Sequence, residues 1–78
     1  MANKRLKSII LEVVDNQLDS NDPLATRITY ERLLGLGYTG QQAKEKIGSV
    51  VATEIYGIMK SNEAFDEARY TKNLNKLK

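Results

Sequence analysis

Glu54 is the side chain in this sequence whose position best suits a chemical role. It follows Ile47 by seven residues and precedes Ile58 by four, so helical periodicity places it on or beside an apolar helix face. A carboxylate there could act as an acid, a base or a metal ligand. It could equally form a structural ion pair or reach water at the edge of the face. We favour the structural interpretation, with Arg27, Arg32 or a tyrosine hydroxyl as the partner.

Two further groups of polar residues lie on the first predicted helix. Glu12 and Asp15 are three residues apart, a spacing that could bind a divalent cation or support acid–base chemistry, but that is more typical of a solvated face. Asn16 and Gln17 follow near the end of the helix. We expect these two amides to hydrogen-bond the second helix or its loop. Together with Glu54 they are the predicted structural polar residues of the interior, and all three are expected to be buried.

Composition excludes most catalytic chemistry. The chain has 78 residues, with no cysteine and no histidine. Serine–histidine and cysteine–histidine catalysis, thiolate metal sites, disulfides and Glu-x-x-His di-iron sites are therefore excluded. The sequence also has no phosphate-binding loop and no dinucleotide-binding glycine motif. We therefore predict that the chain is not an enzyme and that it has no catalytic, cofactor-binding or metal-ligating residue.

The elements that must position these residues are predicted to be helices. Apolar residues recur at intervals of three and four, which predicts a single all-α domain over residues 1–78. The expected fold is a compact bundle of four helices, at about residues 4–18, 23–36, 40–61 and 66–77. The predicted core faces of the first and third helices consist of Leu6, Ile9, Ile10, Val13, Val14 and Leu18, and of Ala43, Ile47, Val50, Val51, Ile55, Ile58 and Met59.

The second helix has the least regular pattern of the four. We expect Asp22 to be its N-cap, with Pro23 at the first helical position. Its predicted core face carries Leu24, Ile28 and Leu34, with Leu33 beside them. Its charged residues Arg27, Glu31 and Arg32 are predicted to be exposed.

A tight corner is predicted between the second and third helices. Gly37 can adopt the left-handed conformation that ends a helix, and Thr39 with Gln42 can form a capping box at the next one. Tyr38 is expected either to pack onto its own helix or to contact a partner. The predicted partner-contact residues at this corner are Leu36, Gly37, Tyr38 and Gln41.

Two other residues have predicted structural roles. Gly48 lies within the apolar stripe of the third helix, which favours close approach of a neighbouring helix at that point. Asp66 precedes the fourth helix and can cap its N-terminus. In that helix Tyr70, Leu74 and Leu77 recur on one apolar face.

The net charge of +2 conceals an uneven distribution. Residues 1–7 and 69–78 carry seven basic and no acidic residues, whereas the segment between them carries five basic and ten acidic residues. Basic ends could contact nucleic acid or another polyanion, although solubility and favourable charge at a helix C-terminus explain them as well. The candidate polyanion contacts are Lys4, Arg5, Lys7, Arg69, Lys72, Lys76 and Lys78.

The length of the chain and its pattern of apolar segments lead to predictions about its assembly and its location in the cell. A core of this size is marginal without disulfide or metal, so a homodimer is one expected source of stability and a well-packed monomer is the other. No apolar run approaches the length needed to cross a bilayer, and no signal peptide with a cleavage site is recognisable. We expect a cytoplasmic protein that does not contact membranes.

A set of short segments spread over nearly the whole chain forms a recognisable pattern: Val13-Val14-Asp15-Asn16-Gln17-Leu18, Asp22-Pro23, Glu31-Arg32-Leu33-Leu34, Gly37-Tyr38, Ala43, Ile47-Gly48-Ser49-Val50, Glu54-Ile55, Phe65-Asp66 and Tyr70. In these segments the chain resembles a widespread bacterial all-α module of unknown function. Many relatives in that family carry histidines just after the corner, where this chain has Gly40, Gln41 and Glu45. This departure counts against a metal or acid–base role.

A second, local resemblance concerns the corner. Leu36-Gly37-Tyr38-Thr39, with Ala43 and Ile47, is similar to the first loop of ubiquitin-associated-like three-helix bundles. In those domains the loop is part of a protein-binding patch. We therefore predict a non-catalytic interaction module or homo-oligomer with an unidentified protein partner. The alternative prediction is weak nucleic-acid binding through the basic ends.

Overall fold

The computed structural model describes residues 4–62 and 64–78, and within them it has four α-helices and no strand. The helices are α1 (Lys4–Ser20), α2 (Leu24–Gly35), α3 (Gly40–Ser61) and α4 (Glu67–Asn75). The longest helix, α3, packs against each of the other three. The predicted all-α bundle is confirmed.

Most helix ends differ from the prediction by one or two residues. Helix α1 continues past Leu18 to Ser20, because the left-handed residue that ends it is Asn21, with φ of 54°. Helix α2 begins at Leu24, and Pro23 is its N-cap, in an extended conformation with no side-chain cap. The prediction that Asp22 caps this helix was therefore wrong. The Pro23 carbonyl instead accepts the Thr26 N–H at 3.1 Å.

The corner between α2 and α3 has the predicted structure. Gly37 has a φ of 104°, and its N–H donates to the Leu34 carbonyl at 3.0 Å. The next N–H, that of Tyr38, donates to the Leu33 carbonyl at 3.3 Å, which completes a Schellman motif. Thr39 and Gln42 form the reciprocal capping box that begins α3. Local hydrogen bonds therefore determine where α2 stops and α3 starts.

The core is formed by one apolar cluster to which all four helices contribute. Among the described residues, the buried apolar members are Val14, Leu18, Leu33, Ala43, Ile47, Val50, Val51, Tyr70 and Leu74. The apolar faces predicted for α3 and α4 supply most of them. The ends of two predicted faces do not reach the core, because Leu6 and Ile9 of α1 and Met59 of α3 are exposed.

Helix α2 presents a different face to the core from the one predicted. Its buried residues are Thr26, Thr29 and Leu33, while Leu24 and Ile28 are both 57% exposed. Threonine can be buried because its methyl group packs against apolar neighbours while its hydroxyl takes a hydrogen bond. Leucine and isoleucine spacing alone therefore indicated the wrong side of this helix.

The two arginines of α2 are half-buried rather than exposed, and each reaches the C-terminal end of a neighbouring helix. Arg27 donates to the Leu18 carbonyl of α1 at 2.9 Å and to the Asn21 side chain at 3.1 Å. Arg32 donates to the carbonyls of Leu74 and Leu77 at 2.9 and 2.6 Å. Guanidinium groups at these positions donate to carbonyls near helix C-termini and meet the negative end of the helix dipole. The Leu74 carbonyl also accepts the Leu77 N–H at 3.1 Å.

At Gly48, α1 lies close against α3. This glycine is buried, and a Cβ added to it would lie 3.1 Å from Cγ2 of Ile10. Gly57, on the same helix, has nothing within 4 Å of an added Cβ. The predicted close packing at Gly48 is confirmed, and Gly57 provides a matched control.

We expect Gly48→Leu to destabilise the fold by about 1–3 kcal/mol, because the added side chain must push α1 away from α3. Gly57→Leu should instead gain up to about 1 kcal/mol, because it replaces a helical glycine without a clash. Urea unfolding of both variants measures the difference. Equal effects of the two substitutions would show that α1 does not approach α3 at Gly48.

Candidate functional site

A buried polar cluster joins three of the helices through one amide oxygen. Gln17 Oε1 of α1 accepts hydrogen bonds from Thr26 Oγ1 of α2 at 2.7 Å and from Tyr70 Oη of α4 at 2.9 Å. The two hydroxyl oxygens lie 3.3 Å apart. The predicted contact of Gln17 with the second helix is therefore present. Asn16, its neighbour, is exposed, so the expectation that it is buried was wrong.

The ionisation of Tyr70 reflects this environment. Loss of solvent around the ring raises the pKa of its hydroxyl, the Thr26 hydroxyl lowers that pKa by a smaller amount, and the negative charge of Glu54 raises it further. The neutral tyrosine is therefore the favoured form, and it donates the hydrogen bond to Gln17.

Glu54 forms an ion pair with Arg69, which was predicted to be a polyanion contact and not a partner of Glu54. Its side chain is 4% exposed, and Arg69 of α4 contacts both of its carboxylate oxygens, with Nε to Oε2 and Nη2 to Oε1 each at 3.0 Å. The proposed partners Arg27, Arg32 and tyrosine were wrong, because the arginines of α2 are engaged at helix C-termini. Asp66 caps α4 and accepts the backbone N–H of Arg69 at 3.1 Å.

The buried polar groups of the described residues are paired with one another or with the backbone. The Glu54 carboxylate is held by a forked guanidinium. In residues 4–62 and 64–78, no buried side-chain nitrogen or oxygen lacks a hydrogen-bond partner. The same residues contain no group of three or more acidic side chains placed to hold a metal ion.

Surface charges on α1 pair across to α3. Lys7 Nζ lies 3.0 Å from Glu45 Oε2, and Lys44 Nζ lies 2.8 Å from Asp15 Oδ1. The hydrogen bond from Lys7 is the main reason why the pKa of Glu45 is lowered. Asp15 therefore takes part in an ion pair on the surface, and Glu12 is exposed.

The basic residues near the two ends have different environments. Lys7 and Arg69 belong to the ion pairs described above, and Arg5 is exposed at the start of α1. Lys72, Lys76 and Lys78 are exposed on and after α4. The side chain of Lys4 lies outside the described residues.

At the α2–α3 corner, Tyr38 is held in place by three contacts. Its ring packs against the core cluster, its hydroxyl donates to the Lys78 carbonyl at 2.7 Å, and Lys46 Nζ lies 4.6 Å from the ring centroid. Leu36, Gly37 and Gln41 are exposed beside it. The corner therefore offers Leu36 and Gln41 to a partner more readily than Tyr38.

An open apolar groove lies between α1 and α3 in the part of the chain that the structure describes. We define the α1/α3 groove by the residues that line its main cavity, of about 530 Å³: Leu6, Ile10, Ala52, Thr53, Ile55, Tyr56 and Met59. A second cavity of about 260 Å³ shares Leu6, Ile10 and Ala52 and extends toward Lys7 and Glu45. The side chains of Tyr56 and Met59 are 64% and 79% exposed.

The spacing of Leu6 and Met59 predicted that both lie in the core, so this groove was not predicted from the sequence. The signal that could have revealed it is the number of apolar residues on the two predicted faces. The apolar faces predicted for the first and third helices contain thirteen residues, more than a domain of 78 residues buries in one small core. Within the described part of the chain, no helix is both long enough and apolar enough to span a bilayer.

The ion pair predicts an asymmetry between its partners. Arg69→Met should destabilise the fold by about 2 kcal/mol, because it leaves the buried Glu54 carboxylate without its counter-charge. Glu54→Met should cost less, because Arg69 is 39% exposed and its guanidinium can turn toward water. Chemical denaturation at neutral pH compares the two variants, and a larger loss for Glu54→Met would contradict this account.

The raised pKa of Tyr70 predicts a loss of stability at high pH. The unfolded chain releases this proton near the ordinary tyrosine value of about 10, whereas the folded chain retains it, so the contribution is complete below that pH and disappears above it. Tyr70→Phe should cost about 1 kcal/mol at neutral pH and should flatten the alkaline loss.

Urea unfolding from about pH 7 to about pH 11 measures this slope. Tyr56→Phe, which alters an exposed tyrosine, is the control. Equal slopes for the wild type and Tyr70→Phe would show that Tyr70 does not govern the alkaline behaviour.

Comparison of the chain with known protein families, with curated proteins and with solved structures finds no match. The two resemblances drawn from sequence motifs therefore stay predictions.

Proposed function

We propose that this chain is a non-catalytic protein–protein interaction module that binds its partner through the α1/α3 groove. The observation that carries the proposal is the exposure of apolar side chains along that groove, with Met59 79% exposed and Tyr56 64% exposed. Soluble domains seldom leave a concave apolar surface of this kind in water without a use for it.

The shape of the groove supports a helical ligand. Met59 follows Glu45 by fourteen positions on α3, which corresponds to about 21 Å at about 1.5 Å per residue. A partner helix of about four turns would fill that length and place one apolar side in the groove. Ser49 and Thr53 lie beside the apolar residues and provide a polar edge.

The distribution of polar groups also supports a binding role. Glu54, Arg69, Gln17 and Tyr70 stabilise the packing of helices by satisfying one another. Their roles are consistent with the proposal that the chain is not an enzyme. A cytoplasmic location is part of the same proposal, and the absence of cysteine is compatible with it.

The contact predicted at the corner takes second place to the groove. Tyr38 has its hydroxyl bonded and its ring packed, so Leu36 and Gln41 would have to carry any contact there.

Nucleic-acid binding through the basic ends has less support than the groove. The ion pairs of Lys7 and Arg69 reduce the positive charge available at the ends of the chain. We therefore do not advance nucleic-acid binding as a second function.

Site-specific photocrosslinking tests the proposed surface. Because the chain has no cysteine, Met59→Cys can carry a single thiol-linked benzophenone, and Glu31→Cys on α2 provides an exposed control position. On illumination, the labelled Met59→Cys variant at micromolar concentration should crosslink to one defined protein. The labelled Glu31→Cys variant should give no such product.

Competition makes the result specific. An excess of unlabelled wild-type chain should suppress a product formed with a different protein, and should itself be incorporated into a product formed with a second copy of the chain. An excess of Met59→Glu should do neither, because a charged side chain at the groove opposes apolar contact. If the two labelled variants give the same products, or if neither gives any, the groove is not a binding surface.

A further inference from the structure

We infer that the partner seated in the α1/α3 groove is a second copy of this chain, packed about a two-fold axis. This inference rests on the proposed function, since it uses the same groove and names its occupant. Three independent features support it: the shape of the patch, its charges, and the small size of the core.

The patch combines exposed apolar side chains with an open cavity. Met59 and Tyr56 are largely exposed, and they line one cavity together with Leu6, Ile10 and Ala52. A two-fold axis brings the same patch of each subunit together, so an exposed side chain of one copy can enter the cavity of the other, and the reverse contact follows by symmetry. Methionine suits this position because its flexible side chain fills irregular spaces.

The charges at one end of the groove are also self-complementary. Lys7 and Glu45 line the second cavity and pair with each other at 3.0 Å, while their side chains are still 59% and 40% exposed. A patch that carries one positive and one negative group can meet its own symmetry copy with opposite charges opposed. A partner of single charge sign would leave one of these two groups opposed by like charge.

The small core provides the energetic reason. Among the described residues, nine apolar residues are buried in the core and nine large apolar side chains are exposed. Small domains without disulfide or metal commonly gain stability by association, because a second subunit removes further apolar surface from water. The chain has no cysteine for a disulfide.

A second exposed apolar surface offers a competing arrangement. Leu24 and Ile28 are exposed on α2, on a different helix from those that form the groove. If that ridge entered the groove of the next copy, the contact would be head-to-tail and would form open chains rather than a closed dimer.

The decisive measurement is solution mass over a range of concentration. Sedimentation equilibrium and light scattering of the wild-type chain from about 1 μM to about 1 mM should show a monomer–dimer equilibrium with no larger species. Met59→Glu should raise the dissociation constant about tenfold or more. The matched control Ile28→Glu, at an equally helical exposed apolar site, should leave it unchanged.

Charge reversal tests whether the two copies meet at Lys7 and Glu45. Lys7→Glu and Glu45→Lys should each weaken the homodimer, because each variant then carries two like charges at the patch. An equimolar mixture of the two should form heterodimers, in which opposite charges face each other again. Circular dichroism of each variant should show the helical content of the wild type, which separates lost association from lost folding.

Each outcome assigns the result to one hypothesis. A wild-type chain that stays monomeric up to about 1 mM overturns the inference, and a crosslink from the Met59→Cys variant to a different protein would then preserve the proposed function. Loss of association in Ile28→Glu but not in Met59→Glu would place the contact on α2 and overturn the inference as well. A mixture of the two charge variants that forms no heterodimer would reject the two-fold arrangement.

Discussion

The carboxamide oxygen of Gln17 is the acceptor on which the arrangement of the bundle depends. It takes one hydrogen bond from Thr26 and one from Tyr70, and so it joins α1 to α2 and to α4 inside the core. Hydroxyl groups at buried positions must find an acceptor, because an unpaired polar group costs about 1–3 kcal/mol. This requirement sets the rotation of α2, which turns its threonines inward and leaves Leu24 and Ile28 in water.

The rotation of α2 also determines where its arginine side chains lie. Arg27 and Arg32 lie where they can reach the carboxyl ends of α1 and α4, so each helix end is satisfied by a side chain from its neighbour. Arg69 in turn neutralises Glu54, which α3 contributes to the interior. Three arginines thus link the four helices, two through carbonyls near helix C-termini and one through the buried Glu54 carboxylate.

The apolar surface also follows from the small size of the domain. The three shorter helices cannot cover both flanks of α3. The side on which α1 lies retains an open groove beside Tyr56 and Met59. The proposals place a second protein surface in that groove, and specifically a second copy of this chain. A dimer would extend the core across the interface, and the apolar residues left exposed in one subunit would become the centre of the contact.

Features set by neighbouring residues could be predicted from the sequence. The four helices, the left-handed Gly37, the capping box of Thr39 and Gln42, and the Asp66 cap depend on contacts within a few positions of the chain. The apolar face of α4 and most of that of α3 were also correct, because in them the spacing of large apolar residues is regular. Glu54 was recognised as a polar residue on an apolar face for the same reason.

Only the tertiary structure decided which residues meet across helices. Whether Glu54 pairs with Arg69 or Arg32, and whether Thr26 or Ile28 faces inward, depends on how whole helices are placed and rotated relative to one another. The periodicity of one helix does not identify its neighbours, and the pattern of α2 was too irregular to indicate its buried face. The extent of the core was decided in the same way. Residues such as Leu6 and Met59 have the spacing of buried positions, but a position is buried only where another element covers it.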